Sequence, residues 1–222
     1  MKTICQTEGA TTSFVLTQVD ETYHDALRDL YFVPIEGGFA KRYPADTPHL
    51  DRIYQNFARH AEEMVLQTAG VRPSRWDDAL SAFLQAVEGQ QVDWWLTGSA
   101  ALAVRGLDIV PRDLDLVVDA AGAATLGELL LDGLVEPVLP SPGWIASYFG
   151  RAFLHARVEW VGGVHASVDI PHATDFGPTA ASRLEAVQWR GNPIRVPPLD
   201  LQLQVNQRRG LTDRVNKIER LK

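Results

Sequence analysis

The sequence predicts an α+β chain built on a mixed β-sheet with flanking helices, and three observations carry that expectation. Hydrophobic residues make up 45% of the 222 residues and charged residues 22%, enough apolar surface for a packed core without disorder. Apolar, strand-like runs alternate with helical spacing between about residues 92 and 131. Hairpin patterns with glycine turns follow, and that order belongs to mixed rather than all-parallel sheets.

Taken in order, Ser13–Val19 is β-branched and apolar enough for a strand, and Asp20 then caps a helix running to Leu30. Gly37-Gly38 breaks the pattern and Tyr43-Pro44 starts a loop. Over His49–Thr68 the apolar residues Leu50, Ile53, Tyr54, Phe57, Ala61, Met64 and Val65 recur at helical spacing, and Gly70 stops the helix. The first segment thus reads as one strand followed by helices. Trp76–Val87 is a second amphipathic helix. Val92–Thr97 is a short strand, Ala100–Arg105 a small-residue helix, Asp113–Asp119 a strand and Ala123–Leu131 a helix. Ala146–Val161 and Val164–Ile170 read as two strands around Gly162-Gly163, and Gln188–Val196 as a hairpin. Pro197-Pro198 opens a final helix to the C-terminus.

Composition excludes several classes. No apolar run reaches the ~18 residues of a membrane helix, and MKTICQTEGATTS lacks the apolar centre of a signal peptide. Cys5 is the single cysteine, so neither an internal disulfide nor a cysteine zinc site can form, and a reducing cytoplasm is the expected setting. The net charge of -7 argues against a general nucleic-acid binder. It is unevenly spread: residues 1–90 carry -5, residues 91–204 carry -6 and residues 205–222 carry +4. A basic tail on an acidic body suits a cationic partner, or phosphates bridged by metal to clustered carboxylates. The six histidines have no metal-ligand spacing, and neither a P-loop nor a G-x-S-x-G elbow occurs.

Chemistry concentrates in Trp95–Asp119, WLTGSAALAVRGLDIVPRDLDLVVD. Gly98 allows a tight turn after the strand, and Ser99 stands at the start of the next helix, where unpaired N–H groups favour phosphate. Asp113 and Asp115 are two apart in a strand and so share a face, while Leu114 and Leu116 enter the core. Two neighbouring carboxylates repel unless a cation sits between them, and an oxygen-only ligand set suits Mg²⁺. Gly98-Ser99, a 13-residue spacer and Asp113-Leu114-Asp115 together resemble the nucleotidyltransferase superfamily, whose fold is that of the polymerase β catalytic domain.

That resemblance implies a division into residues 1–75, an N-terminal α/β extension of open role; 76–197, the nucleotidyltransferase domain; and 198–222, a basic C-terminal helix packed on it. It implies Gly98 and Ser99 on the nucleotide phosphates and two Mg²⁺ ions on Asp113 and Asp115. It also asks for a third carboxylate, as metal ligand or as base for the acceptor hydroxyl. Glu159, in an apolar strand, is favoured, with Asp169 as the alternative. Arg112, Arg208 and Arg209 are the expected phosphate contacts, although Asn206 stands where a lysine is expected. Trp144 and Tyr148 are placed on the acceptor side. The implied reaction moves NMP from an NTP, ATP included, to a hydroxyl of a small acceptor, cationic ones included, releasing pyrophosphate. The alternatives are a toxin–antitoxin-type enzyme acting on a partner protein or a tRNA, and a degenerate module that only binds. Residues 1–70 read equally as a substrate lid, a homodimerisation element or a partner-binding module.

Overall fold

A computed structural model describes residues 1–221. Its elements in chain order are β1 (Lys2–Glu8), β2 (Thr11–Thr17), α1 (His24–Asp29), β3 (Val33–Ile35), β4 (Gly38–Pro44), α2 (Leu50–Thr68), α3 (Trp76–Val87), β5 (Trp94–Thr97), α4 (Gly98–Ala103), β6 (Asp113–Val118), α5 (Ala120–Leu129), β7 (Leu134–Pro140), β8 (Ala146–Leu154), β9 (Ala156–Val164), α6 (Pro178–Ala181), β10 (Glu185–Trp189), β11 (Asn192–Val196), α7 (Leu199–Arg208) and α8 (Thr212–Glu219). The chain is α+β with a mixed central sheet. Among the described residues no helix is long and apolar enough to cross a membrane.

The central sheet has the order β5-β6-β9-β8-β7. β6 and β9 run parallel and every other neighbouring pair is antiparallel. Alternation gives the sheet two unlike faces. Leu114, Leu116, Val158 and Trp160 are buried on one face, and Trp160 donates its indole N–H to the Ala123 carbonyl of α5 at 3.1 Å. Asp113, Asp115, Arg157 and Glu159 occupy the alternate positions of β6 and β9, on the opposite face. Burying the apolar half against α3 and α5 therefore fixes where the carboxylates project, because a one-residue slip would exchange the faces.

The N-terminal segment forms a four-stranded antiparallel sheet of order β1-β2-β4-β3, where the sequence suggested one strand and then helices. Gly37, at φ +80°, lies in the turn of the β3–β4 hairpin and Gly38 opens β4 opposite Ile35, so the pair starts a strand rather than breaking the pattern. One apolar core joins both sheets, running from Phe14, Leu27 and Phe57 through Phe83 to Leu116 and Trp160.

Several boundaries differ from expectation for local reasons. The segment 146–161 is two strands, because His155 takes a left-handed φ of +70° and turns the chain between β8 and β9. Gly162 and Gly163 lie within β9, and Gly162 serves close packing there: a Cβ would approach Ala123 Cβ to 2.4 Å. The strand expected over Val164–Ile170 is a 3-10 turn at Ala166–Asp169. Val164 already pairs with Ala146, the first residue of β8, so the sheet offers no further partner. Asp169 instead accepts the N–H groups of Thr174 (2.7 Å) and Thr179 (2.8 Å). Asp119 caps α5 by accepting the Gly122 N–H at 2.6 Å, and that helix therefore starts earlier than the apolar pattern suggested. Gly210, at φ +67°, splits the expected final helix into α7 and α8.

Candidate functional site

The strand register brings the acidic residues together. Thr97 at the end of β5 stands opposite Asp115 on β6, and Asp115 stands opposite Glu159 on β9. One carboxylate oxygen each from Asp113, Asp115 and Glu159 lies within 4.8 Å of the other two. Gly98 closes the corner at φ +63°, and a Cβ at that position would sit 2.5 Å from Asp115 Oδ2. The backbone conformation strains any other residue, and a Cβ would have to push the Asp115 carboxylate aside. Gly98→Ala is expected to cost about 1–3 kcal/mol. It should also weaken divalent-ion binding by displacing the Asp115 carboxylate, which urea unfolding and Mn²⁺ titration would read separately.

The three carboxylates are not equally compensated. Arg157 donates to Asp113 Oδ2 at 2.6 Å and to Glu159 Oε1 at 2.7 Å. Arg151, buried at 1% exposure, donates through Nε to Glu159 Oε1 at 2.9 Å and pairs through Nη1 with Glu136, which also pairs with the buried Lys41 of β4. A ladder of alternating charge therefore runs from β4 across β7, β8 and β9 to β6. Burial raises the Glu159 carboxyl, but Arg151 and Arg157 outweigh it and hold the group below its ordinary value. Burial raises Asp113 despite Arg157. Asp115 accepts no hydrogen bond from the described residues; burial first, then Asp113 and Glu159, push it well above the ordinary carboxylate range.

This donor set fits a hard divalent cation. It is oxygen-only, Asp115 in it has no hydrogen-bond partner among the described residues, and its three carboxylates outnumber Arg157 and Arg151, the second of which is shared with Glu136.

A cavity of about 450 Å³ opens over the cluster, with Gly98, Asp115, Glu159 and Arg209 among its lining residues. Ser99 is buried at 6% exposure in the first turn of α4 and is not part of that lining. Arg208 donates instead to the Ala173 carbonyl, and Arg112 is exposed just before β6. Asp169 is held in its own turn by Thr174 and Thr179, outside the acidic cluster. Trp144 lines the cavity, whereas Tyr148 lines a separate one beside α2 and α5.

Sequence reasoning missed four contributors. Arg157 was readable, because it is two residues from Glu159 in one strand and shares its face. Arg151 pairs with Glu159 only through the β8–β9 register. Asp175, whose carboxyl is raised by burial, lines the cavity, and its carbonyl accepts the Thr97 hydroxyl at 2.7 Å. Arg214 of α8 is half-buried and close enough to sense Asp115 and Asp113; burial and then Arg209 lower its pKa.

No protein-family model matches the chain, and no curated protein matches it. Solved structures similar to it include the following three. A provisionally assigned nucleotidyltransferase of Thermotoga maritima is 19% identical, with 64% of this chain and 89% of that one covered and a TM-score of 0.49. The antibiotic-resistance factor ANT(2'')-Ia is 14% identical over 56% of this chain and 66% of that one, with a TM-score of 0.40. The lincosamide antibiotic adenylyltransferase LnuA, solved with lincomycin bound, is 15% identical over 57% of this chain and 82% of that one, with a TM-score of 0.41.

Proposed function

We propose that the chain is a Mg²⁺-dependent nucleotidyltransferase that moves NMP from an NTP to a hydroxyl of a small acceptor. The observation that carries this reading is the convergence of Asp113, Asp115 and Glu159 on one sheet face, with Asp115 left unpaired. Asp113, Asp115 and Glu159 would hold the metal, two ions at full occupancy. The backbone turn at Gly98-Ser99 and the cationic side chains of Arg209, Arg112 and Arg214 would face the triphosphate, with Arg208 at its edge. Bound metal would offset both the carboxylates and the negative charge that the triphosphate brings to them.

In the reaction the acceptor oxygen attacks the α-phosphorus, the bond to the pyrophosphate oxygen breaks, and the acceptor proton leaves to solvent. Glu159 suits a ligand better than a proton store. Its two arginines keep it ionised, whereas a general base works best with a pKa near the operating pH.

Thermal unfolding with each of the four NTPs, with and without Mg²⁺, tests this. A ligand at 100 times its Kd adds about 2.7 kcal/mol, a rise of roughly 5–10 °C for a chain of this length. The rise should need Mg²⁺ and vanish in the Asp113→Asn/Asp115→Asn double variant. A rise that survives in the variant would overturn the site. Nucleotide binding without transfer to any hydroxyl would favour the binding-only alternative.

A further inference from the structure

The cavity above the carboxylates adjoins a larger one of about 600 Å³, and Tyr31, Phe149 and Trp144 line both. The larger cavity is walled by the N-terminal sheet on one side, through Val33, Lys41 and Tyr43, and by the β7–β8 connection on the other. Two aromatic side chains mark its lips. Tyr31 is 67% exposed and Trp144 is 41% exposed, although large apolar groups are normally withdrawn from water. Trp144 is held edge-on to Phe149, ring centroids 5.7 Å apart.

Tyr31 has a further peculiarity. It follows the C-cap of α1 with φ +63°, where the Phe32 N–H reaches back to the Leu27 carbonyl. Glycine is the residue that position favours, and a bulky side chain there is strained. An exposed aromatic ring is thus kept, at a cost, at the junction of the two cavities.

The charges of the two halves differ. The inner half has Asp115, Glu159 and Asp175. In the outer half Glu136 is the one lining carboxylate, and it is already engaged by Lys41 and Arg151; Arg42 adds an exposed positive charge. A cation entering this half would find no free carboxylate among its lining residues.

We propose that the outer cavity is the acceptor half of the cleft. It would take a small hydroxyl-bearing molecule with a flat, apolar body and no positive charge, stacked between Tyr31 and Trp144. Its hydroxyl would turn towards Asp115 and Glu159. This rests on the nucleotidyl-transfer reading, and it assigns acceptor selection to the N-terminal segment. It also sets aside the cationic acceptor that the acidic composition suggested.

Three phenols of one shape test it: tyramine, 4-hydroxyphenethyl alcohol and 4-hydroxyphenylacetate carry a positive, no and a negative charge. Their binding is followed by the Trp144 indole N–H signal, assigned through its loss in Trp144→Phe. The neutral and anionic probes should bind roughly tenfold or more tightly than tyramine. Tyr31→Gly, which suits the backbone and should keep or raise thermal stability, is expected to weaken both by roughly three- to tenfold. Equal or tighter binding of tyramine, no response of Trp144 to any probe, or full binding in Tyr31→Gly would each overturn the proposal. NTP-dependent stabilisation on the same samples separates the two readings. Nucleotide binding without probe binding overturns the acceptor pocket. Probe binding without nucleotide binding overturns nucleotidyl transfer and leaves a site for an uncharged or anionic aromatic ligand.

Discussion

Arg151→Met is expected to destabilise the protein by about 3–5 kcal/mol, the range for removing one partner of a buried ion pair. For a chain of this length that is roughly 6–20 °C of melting temperature. Arg151 is the central rung of the ladder: its guanidinium holds Glu159 on one side and Glu136 on the other, and also donates to the Leu30 carbonyl at 3.3 Å. A methionine fills similar volume, so the loss is electrostatic rather than a cavity. Two largely covered carboxylates would be left with weakened compensation, Glu136 retaining Lys41 and Glu159 retaining Arg157. The contrast is Arg151→Lys, which keeps a cation between Glu136 and Glu159 and should recover part of the loss. If Arg151→Lys is no more stable than Arg151→Met, the cost lies in packing and the ladder is not an electrostatic unit. Divalent-ion affinity gives a second readout, because Glu159 is positioned by Arg151 from the neighbouring strand.

That ladder also marks where the sequence stops being legible. Asp113 and Asp115 are two apart, so their shared face follows from strand parity alone. The helices α2 and α3 are equally plain, because a continuous 3.6-residue stripe leaves few alternatives. Lys41, Glu136 and Arg151 meet only because β4 lies against the β7–β8 edge, and nothing local in three distant segments encodes that meeting. The N-terminal sheet is hidden for a related reason. β1 is mostly exposed and polar, so its pairing with β2 rests on backbone hydrogen bonds rather than on an apolar pattern. Glu159 and Asp169 have similar local contexts, each following a valine in an apolar run. They differ in whether a strand partner exists: Glu159 lies between β6 and β8, while Asp169 falls beyond the end of the sheet and turns back on its own loop.

Asp115→Asn is expected to have opposite effects on stability and activity. In the metal-free protein, burial and then the Asp113 and Glu159 carboxylates raise the Asp115 pKa well above its ordinary value. The folded state therefore holds this proton more tightly than the unfolded chain does. By linkage, the group favours folding at acid pH, and that contribution is lost as pH rises through the folded-state pKa. At neutral pH the unfolded chain releases this proton more readily than the folded one, and asparagine removes that burden. Without metal the variant should be more stable than wild type by about 0.5–2 kcal/mol, the usual gain from relieving a functional site, or roughly 1–8 °C. The advantage should shrink as pH falls towards the ordinary carboxylate range, where aspartate is neutral in both states. Saturating Mg²⁺ with NTP should reverse the ranking, because only wild type gains the binding energy. Transfer should fall by about a thousandfold or more, since several kcal/mol of charge stabilisation at the phosphate is lost. Paired melting curves across pH, with and without Mg²⁺ and NTP, read both effects. A variant less stable than wild type in every condition would mean that Asp115 is a structural residue. A variant that is more stable without metal but still binds Mg²⁺ and NTP would move the metal site away from the β6–β9 face.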